Sequence, residues 1–252
     1  MRLAIWQTPS PAGDAAAALS GLAAALTQAA AAGATMLVAP EILLPGYNSP
    51  AIARLAQTCD GPWLAQVADL CRASGCGVTL GYAERAGERV FNAAVTFDAS
   101  GARLAHFRKI QLYGPREKAL YTPGDAYCVF DLHGIRTALL ICYDIEFAPH
   151  IAALAAKGVL LILCPTANMQ PFSHVVRFTV PAMAANHGLT VAYANYCGSE
   201  GDLAYVGGSL IADAYGEPLV QAGQGPALLV ADLQATRDPA RLSTQVSDYR
   251  KI

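Results

Sequence analysis

The chain has 252 residues, 54% of them apolar and 14% charged, with 17 Lys+Arg against 19 Asp+Glu and a net charge of −2. So little charge excludes a disordered chain, and the lack of any basic block excludes the usual footprint of a nucleic-acid binder. The length suits one sizeable domain with a full core, spanning residues 1–252.

Residues 3–7 read as a strand, and Asp14 is placed to N-cap the alanine-rich helix that follows and stops at Gly33. That helical stretch, 15–32, is the longest apolar run. It is mostly alanine, broken by Ser20, Thr27 and Gln28, and alanine signals helix propensity rather than membrane insertion. No long apolar segment with a small-residue cleavage site follows Met1 and Arg2, so no signal peptide is expected. Residues 36–39 form a short strand ending at Pro40-Glu41, and 62–73 a helix with Gly75 beyond its end. Residues 77–82, 90–97 and 102–107 are strand-like, with Asp98 to Gly101 as a hairpin turn.

An irregular stretch follows. Strands then come at 127–132 and 136–141, separated by His133-Gly134, with Cys142 at the end of the second. Residues 149–157 read as a helix stopped by Gly158, 159–164 as a buried strand before Pro165, and 175–187 as a helix closed at Gly188. Strands at 190–194, 209–212 and 227–232 complete the pattern. Strands alternating with helices, several of them apolar throughout, imply an α/β fold with mixed sheets covered by helices.

Seven cysteines, at 59, 71, 76, 128, 142, 164 and 197, form no C-x-x-C pair and no zinc pattern. An odd, sparse set fits a reducing, cytoplasmic setting with buried thiols. No metal, cofactor or membrane is expected as a partner. His133 reads as a turn residue, His106 as a strand residue alternating with Leu104, and His174 and His187 as packing or capping groups.

Three polar residues stand at strand ends: Glu41, Lys109 and Cys142. Ligands and reactive groups gather there in α/β sheets. A carboxylate, an ammonium and a thiol make a complete set for acyl transfer, as base, oxyanion stabiliser and nucleophile. Taken singly, each has a structural alternative: a capping carboxylate, a solvated lysine, a buried thiol. No spacing rule joins residues so far apart in sequence.

The segments around them do. Ala39-Pro-Glu-Ile-Leu-Leu-Pro-Gly-Tyr47, Phe107-Arg-Lys-Ile-Gln-Leu112 and Leu140-Ile-Cys-Tyr-Asp-Ile-Glu-Phe147 resemble, in order, the three catalytic boxes of the nitrilase superfamily of carbon–nitrogen hydrolases. Pro165-Thr-Ala-Asn-Met169 and Tyr193-Ala-Asn-Tyr-Cys-Gly198 extend the resemblance toward aliphatic amidases of the 5-aminopentanamidase and R-stereoselective amidase kind. The resemblance implies a four-layer αββα sandwich, assembled as a homodimer or larger homo-oligomer. It implies Glu41 as general base, Lys109 as oxyanion-stabilising cation and Cys142 as nucleophile forming a thioester. It also implies Glu117 as a second glutamate holding Lys109, and the Tyr143 backbone N–H as an oxyanion donor. A salt bridge of Glu117 with Arg116 or Lys118 is the structural alternative.

Nitriles, amides and carbamoyl groups all suit the same triad, so a nitrilase or N-carbamoyl-amine hydrolase stands as the alternative to an amidase. Nitrilases commonly carry Trp-Glu after the cysteine, whereas this chain has Tyr143-Asp144. N-carbamoyl hydrolases and ω-amidases resemble each other in an arginine near the cysteine; the position four after Cys142 is Glu146 here. A carboxylate there disfavours an anionic substrate and attracts an ammonium. The expected substrate is therefore a short carboxamide, uncharged or amine-bearing. Tyr47, Tyr113, Asn168 and Met169 complete the expected pocket, and Glu200 and Asp202 are alternative ammonium partners. Cys164 and Cys197 are expected near Cys142, and the tail 247–252, which carries no anchoring motif, to cross to a partner subunit.

Overall fold

The computed structural model describes residues 1–233 and 237–250. Its first half runs β1 (Arg2–Pro9), α1 (Ala15–Ala31), β2 (Met36–Val38), α2 (Ile52–Leu55), α3 (Pro62–Ser74), β3 (Gly77–Ala86), β4 (Arg89–Phe97) and β5 (Arg103–Arg108). Asp14 caps α1 as its residue type demands, its Oδ1 accepting the Ala17 N–H at 2.9 Å. Pro62 opens α3 and Gly75, at φ +68°, closes it in the left-handed conformation. The β4–β5 turn is tied by Asp98 Oδ1, which accepts from the N–H groups of Ser100 and Ala102 at 2.8 and 3.0 Å.

The second half continues with α4 (Gly114–Leu120), β6 (Cys128–Leu132), β7 (Ile135–Leu139), α5 (Ala148–Ala156), β8 (Leu161–Pro165), α6 (Val180–His187) and β9 (Thr190–Ala194). Short strands β10 (Tyr196–Cys197), β11 (Ser199–Glu200), β12 (Leu203–Ala204), β13 (Leu210–Ala212) and β14 (Pro218–Gln221) lead to β15 (Ala227–Asp232) and the terminal α7 (Gln245–Asp248).

The strands make two large mixed sheets and, apart from them, the small antiparallel pair β11–β12. One large sheet has the order β10-β1-β2-β3-β4-β5, with β15 also pairing β1; the other has the order β14-β13-β9-β8-β7-β6. Strand alternation decides how they stack. On β1, Leu3 and Ile5 face the second sheet and pack in one core with Ala138, Leu140, Ile162 and Tyr193. Ala4, between them, faces the other way, into a core shared with Leu22 and Leu26 of α1 and Leu64 and Val67 of α3. Ile151 and Leu154 of α5 and Val180 and Ala184 of α6 cover the second sheet. Each buried leucine, isoleucine or valine among them contributes about 1.5–3 kcal/mol. The result is the four-layer αββα sandwich implied by the resemblance.

Two local expectations are corrected. The stretch read as irregular contains α4, which starts at Gly114-Pro115; proline fits the first turn of a helix, where its missing N–H costs nothing. The helix expected over 175–187 begins instead as a π turn, Val175–Thr179, before α6. Pro181 explains the change of register, because it cannot donate to the carbonyl of Arg177. Among the described residues, no helix is long and apolar enough to cross a membrane, and all seven cysteines are free. Of the tail, α7 is exposed and Lys251 and Ile252 lie outside the described residues.

Candidate active site

Glu41 follows β2 and Pro40, in a segment that lies directly on β3. Gly81 makes this approach possible: a Cβ there would sit 2.3 Å from the Ile42 backbone nitrogen. Ile42 itself takes φ +46°, a left-handed conformation costing a β-branched residue about 1–3 kcal/mol, and so a strain held by its surroundings. Lys109 stands just past β5, and Cys142 just past β7, opening a 3-10 turn, Cys142–Glu146. Cys142 too is held at positive φ, +44°. Asp144 fixes this turn from below, accepting the Gln111 N–H at 2.7 Å and the Ile141 N–H at 3.1 Å; burial pushes its carboxyl up to about 7.

The ion cluster is fully enclosed. Lys109 Nζ donates to Glu41 Oε1 at 2.7 Å and to Glu117 Oε1 at 2.8 Å, with no exposure of the lysine side chain. A buried charge of this kind persists only when paired. Burial opposes the ammonium, but Glu117 and Glu41 raise its pKa well above normal. Burial pushes the Glu41 carboxyl upward against the pull of Lys109, so it is a stronger base than an exposed glutamate. Burial and the Glu41 charge likewise push the Cys142 thiol up, opposed by Lys109 and the Ala167 N–H.

Glu117 stands on α4 and is bound three ways. Besides Lys109, it accepts the Tyr47 hydroxyl at 2.7 Å on Oε1 and the Tyr113 N–H at 2.8 Å on Oε2. It makes no salt bridge with Arg116 or Lys118. Glu41 differs in one respect. Its Oε1 takes both Lys109 and the Asn92 side-chain amide, at 2.6 Å, while its buried Oε2 has no partner.

Cys142 opens onto a cavity of about 210 Å³ walled by Tyr47, Tyr113, Tyr143, Glu146, Asn168 and Met169. All six expected pocket residues therefore line it. Phe172 and His174 line it as well. His174 was expected to pack or cap; it is helical and stands directly before the π turn, a change of register that the local pattern does not signal. Tyr113 meets Tyr143 and Phe172 edge-on, with ring centroids 5.4 and 5.7 Å away. Asn168 is held by Asn195, which accepts its backbone N–H at 2.8 Å, and its own amide donates to the Phe172 carbonyl at 3.1 Å.

Three expected neighbours fall elsewhere. Glu200 is buried and takes the Tyr205 hydroxyl at 2.6 Å, and Asp202 accepts from Asn48, so neither reaches the cavity. Cys197 pairs with Pro9 at the edge of the first sheet, whereas the buried Cys164 thiol does lie against the Cys142 backbone N–H. Asn92 was not singled out at all. A lone asparagine inside a strand carries no local signal of what its side chain will meet. Among the described residues, no cluster of His, Cys, Asp or Glu is arranged to hold a metal ion.

The carbon–nitrogen hydrolase family model matches residues 2–241. The chain belongs to the carbon–nitrogen hydrolase family. Its relatives put it among the amidases of the nitrilase superfamily. It is 38% identical to a hydrolase in the pqqF 5′ region of Pseudomonas protegens, over 99% of this chain and 89% of that protein. It is 32% identical to an (R)-stereoselective amidase of a Pseudomonas species, over 86% of this chain and 78% of that one. An amidase from Nesterenkonia sp. AN1 superposes with a TM-score of 0.89 at 33% identity, covering 99% of this carbon–nitrogen hydrolase and 96% of that chain. A mutant of the same Nesterenkonia amidase was solved in complex with butyramide, and another carries acrylamide on its active-site cysteine.

Proposed function

We propose that the protein hydrolyses short aliphatic carboxamides, uncharged or amine-bearing, to acid and ammonia through a thioester on Cys142. The observation that carries this reading is the bare, buried Oε2 of Glu41, the oxygen that Lys109 and Asn92 leave free in a cluster whose charges act on the Cys142 thiol. Oε2 takes the thiol proton as Sγ adds to the amide carbon, and the carbonyl oxygen becomes an oxyanion. Lys109 has three N–H bonds and spends two on carboxylates, so the third meets that oxyanion. Tyr143 is the second residue of the 3-10 turn, where a backbone N–H has no intrahelical partner, and it supplies the other donor. Collapse expels the amine, which leaves as ammonia with the proton from Glu41. Water then adds to the thioester, giving its proton to Glu41, and the acid departs as the thiol is restored.

Glu117 keeps Lys109 charged and in place. Tyr47, Tyr113, Phe172 and Met169 give the apolar walls, and a 210 Å³ cavity is below the ~300–1,000 Å³ of drug-sized ligand sites, which favours a short chain. Among the described residues that line the cavity, Glu146 is the carboxylate, which suits an ammonium on the substrate. Exposed apolar side chains at Leu160 and Phe178 suit a cytoplasmic homodimer or larger homo-oligomer.

The test is ammonia release from 5-aminopentanamide, butyramide, butyronitrile and an N-carbamoyl amine. Release from the amides is expected, and release from the nitrile alone would contradict the reading. Glu146→Arg should lower kcat/KM for 5-aminopentanamide by about 10–100-fold, the worth of one charged contact, and far less for butyramide. Equal losses on both amides would remove the ammonium role.

A further inference from the structure

Asn92 lies on β4, between β3, on which the Glu41 segment rests, and β5, which leads to Lys109. On one side β4 pairs with β3, against which the Glu41 segment is folded; on the other it pairs with β5, which ends at Lys109. Asn92 uses this central place twice. Its backbone carbonyl accepts the Lys109 N–H at 2.8 Å, and its side-chain amide donates to Glu41 Oε1 at 2.6 Å. It is 1% exposed, and its own Oδ1 has no partner. A buried amide that leaves one end unpaired is doing something other than satisfying itself.

We propose that Asn92 is a positioning residue that selects which oxygen of Glu41 accepts the thiol proton. This rests on the reading of Glu41 as base. Lys109 and Asn92 converge on Oε1, which leaves Oε2 as the only oxygen free to take a proton. A neutral donor suits the task. A second cation would hold the carboxyl too acidic to act as a base, and an acceptor would repel it. The other titratable groups facing Glu41 are Lys109, Glu117, Cys142, Cys164 and Asp144, with the phenols of Tyr47, Tyr121, Tyr196 and Tyr205. None but Lys109 donates a hydrogen bond to it.

The sign follows. The Asn92 N–H favours the charged carboxylate, so removing it raises the pKa of Glu41, and the base becomes available only at higher pH. In Asn92→Ala, kcat for butyramide should fall about 10–100-fold with KM changed less than about threefold. The acid limb of kcat/KM should move up by about one pH unit. Asn92→Asp keeps the shape but sets a carboxylate against Oε1, and should move the limb further. The pH dependence of Cys142 alkylation by iodoacetamide should move in parallel, a readout that needs no turnover. A purely structural asparagine would lower the yield or melting temperature of both variants and leave both profiles where they are. Unmoved profiles in the two variants would overturn the assignment of Asn92 alone. A wild type that releases no ammonia from any amide would overturn the amidase reading, and the alkylation profiles would still decide the role of Asn92.

Discussion

The chemistry of the site depends on how four side chains share one buried positive charge. Lys109 is compensated by two carboxylates, and only one of them, Glu41, keeps an oxygen free. Glu41→Gln preserves an acceptor for Lys109 and Asn92 but cannot take a proton. It should therefore lower kcat by about 10²–10⁴-fold while the protein folds and binds butyramide with KM within a few-fold of wild type. Steady-state kinetics with a thermal melt checks this; a kcat within tenfold of wild type would contradict the role of Glu41. At this scale the sequence was readable where motifs carry the information. Three short boxes name Glu41, Lys109 and Cys142, and the resemblance adds Glu117 just after Lys109; Lys109 bonds both glutamates, and their charges act on Cys142. Asn92 was not readable, because its contact arises from strand order rather than from its neighbours in the chain.

Among elements, β1 to β9, β13 and β15 were legible from apolar runs and from the Asp98 turn, and the start of α1 from Asp14, whereas the short β10, β11 and β12 carry too few residues to show a pattern, and β14 was not read. The π turn before α6 was not legible either, because a proline inside an apolar helical pattern can be absorbed by a kink, a break or a wider turn. One clamp between strands also escaped notice. Glu84 on β3 reaches across β4 to Arg108 on β5, accepting two hydrogen bonds at 2.6 and 2.7 Å, with His106 at 3.1 Å. Burial works against the Glu84 carboxylate, yet Arg108 and His106 pull it from 4.5 down to about 2. Its folded pKa is depressed, so its stabilisation is present above the ordinary carboxylate range and is lost as pH falls toward 2. Glu84→Gln should be less stable than wild type at neutral pH, and the gap should close between about pH 4.5 and 2. Urea unfolding across that range measures it; a gap independent of pH would contradict the account of the clamp.

Across the whole molecule, the sandwich explains why residues from distant parts of the chain converge. Glu41 and Lys109 come from the first sheet, Cys142 and Asn168 from the second. The Glu41 backbone N–H bonds to the Thr166 carbonyl at 3.3 Å, across the seam between them. Helices cover the outer faces, so this seam is where strand ends from both sheets can meet around a small cavity. The α/β class was legible from alternating strands and helices. The stacking of two sheets came only through the resemblance, because periodicity shows that a strand has two buried faces and not what covers them.

Cys142 is the point where acyl group and protein would be joined in the proposed hydrolysis. The measurement that tests it is ammonia release from butyramide by wild type and by Cys142→Ala, with intact-mass analysis of protein quenched in acid during turnover. Steady release and a butyryl adduct on the Cys142 peptide in the wild type, both absent from the variant, are predicted. Undiminished release by Cys142→Ala, or a wild type that releases ammonia from butyramide with the adduct on another residue, would contradict it.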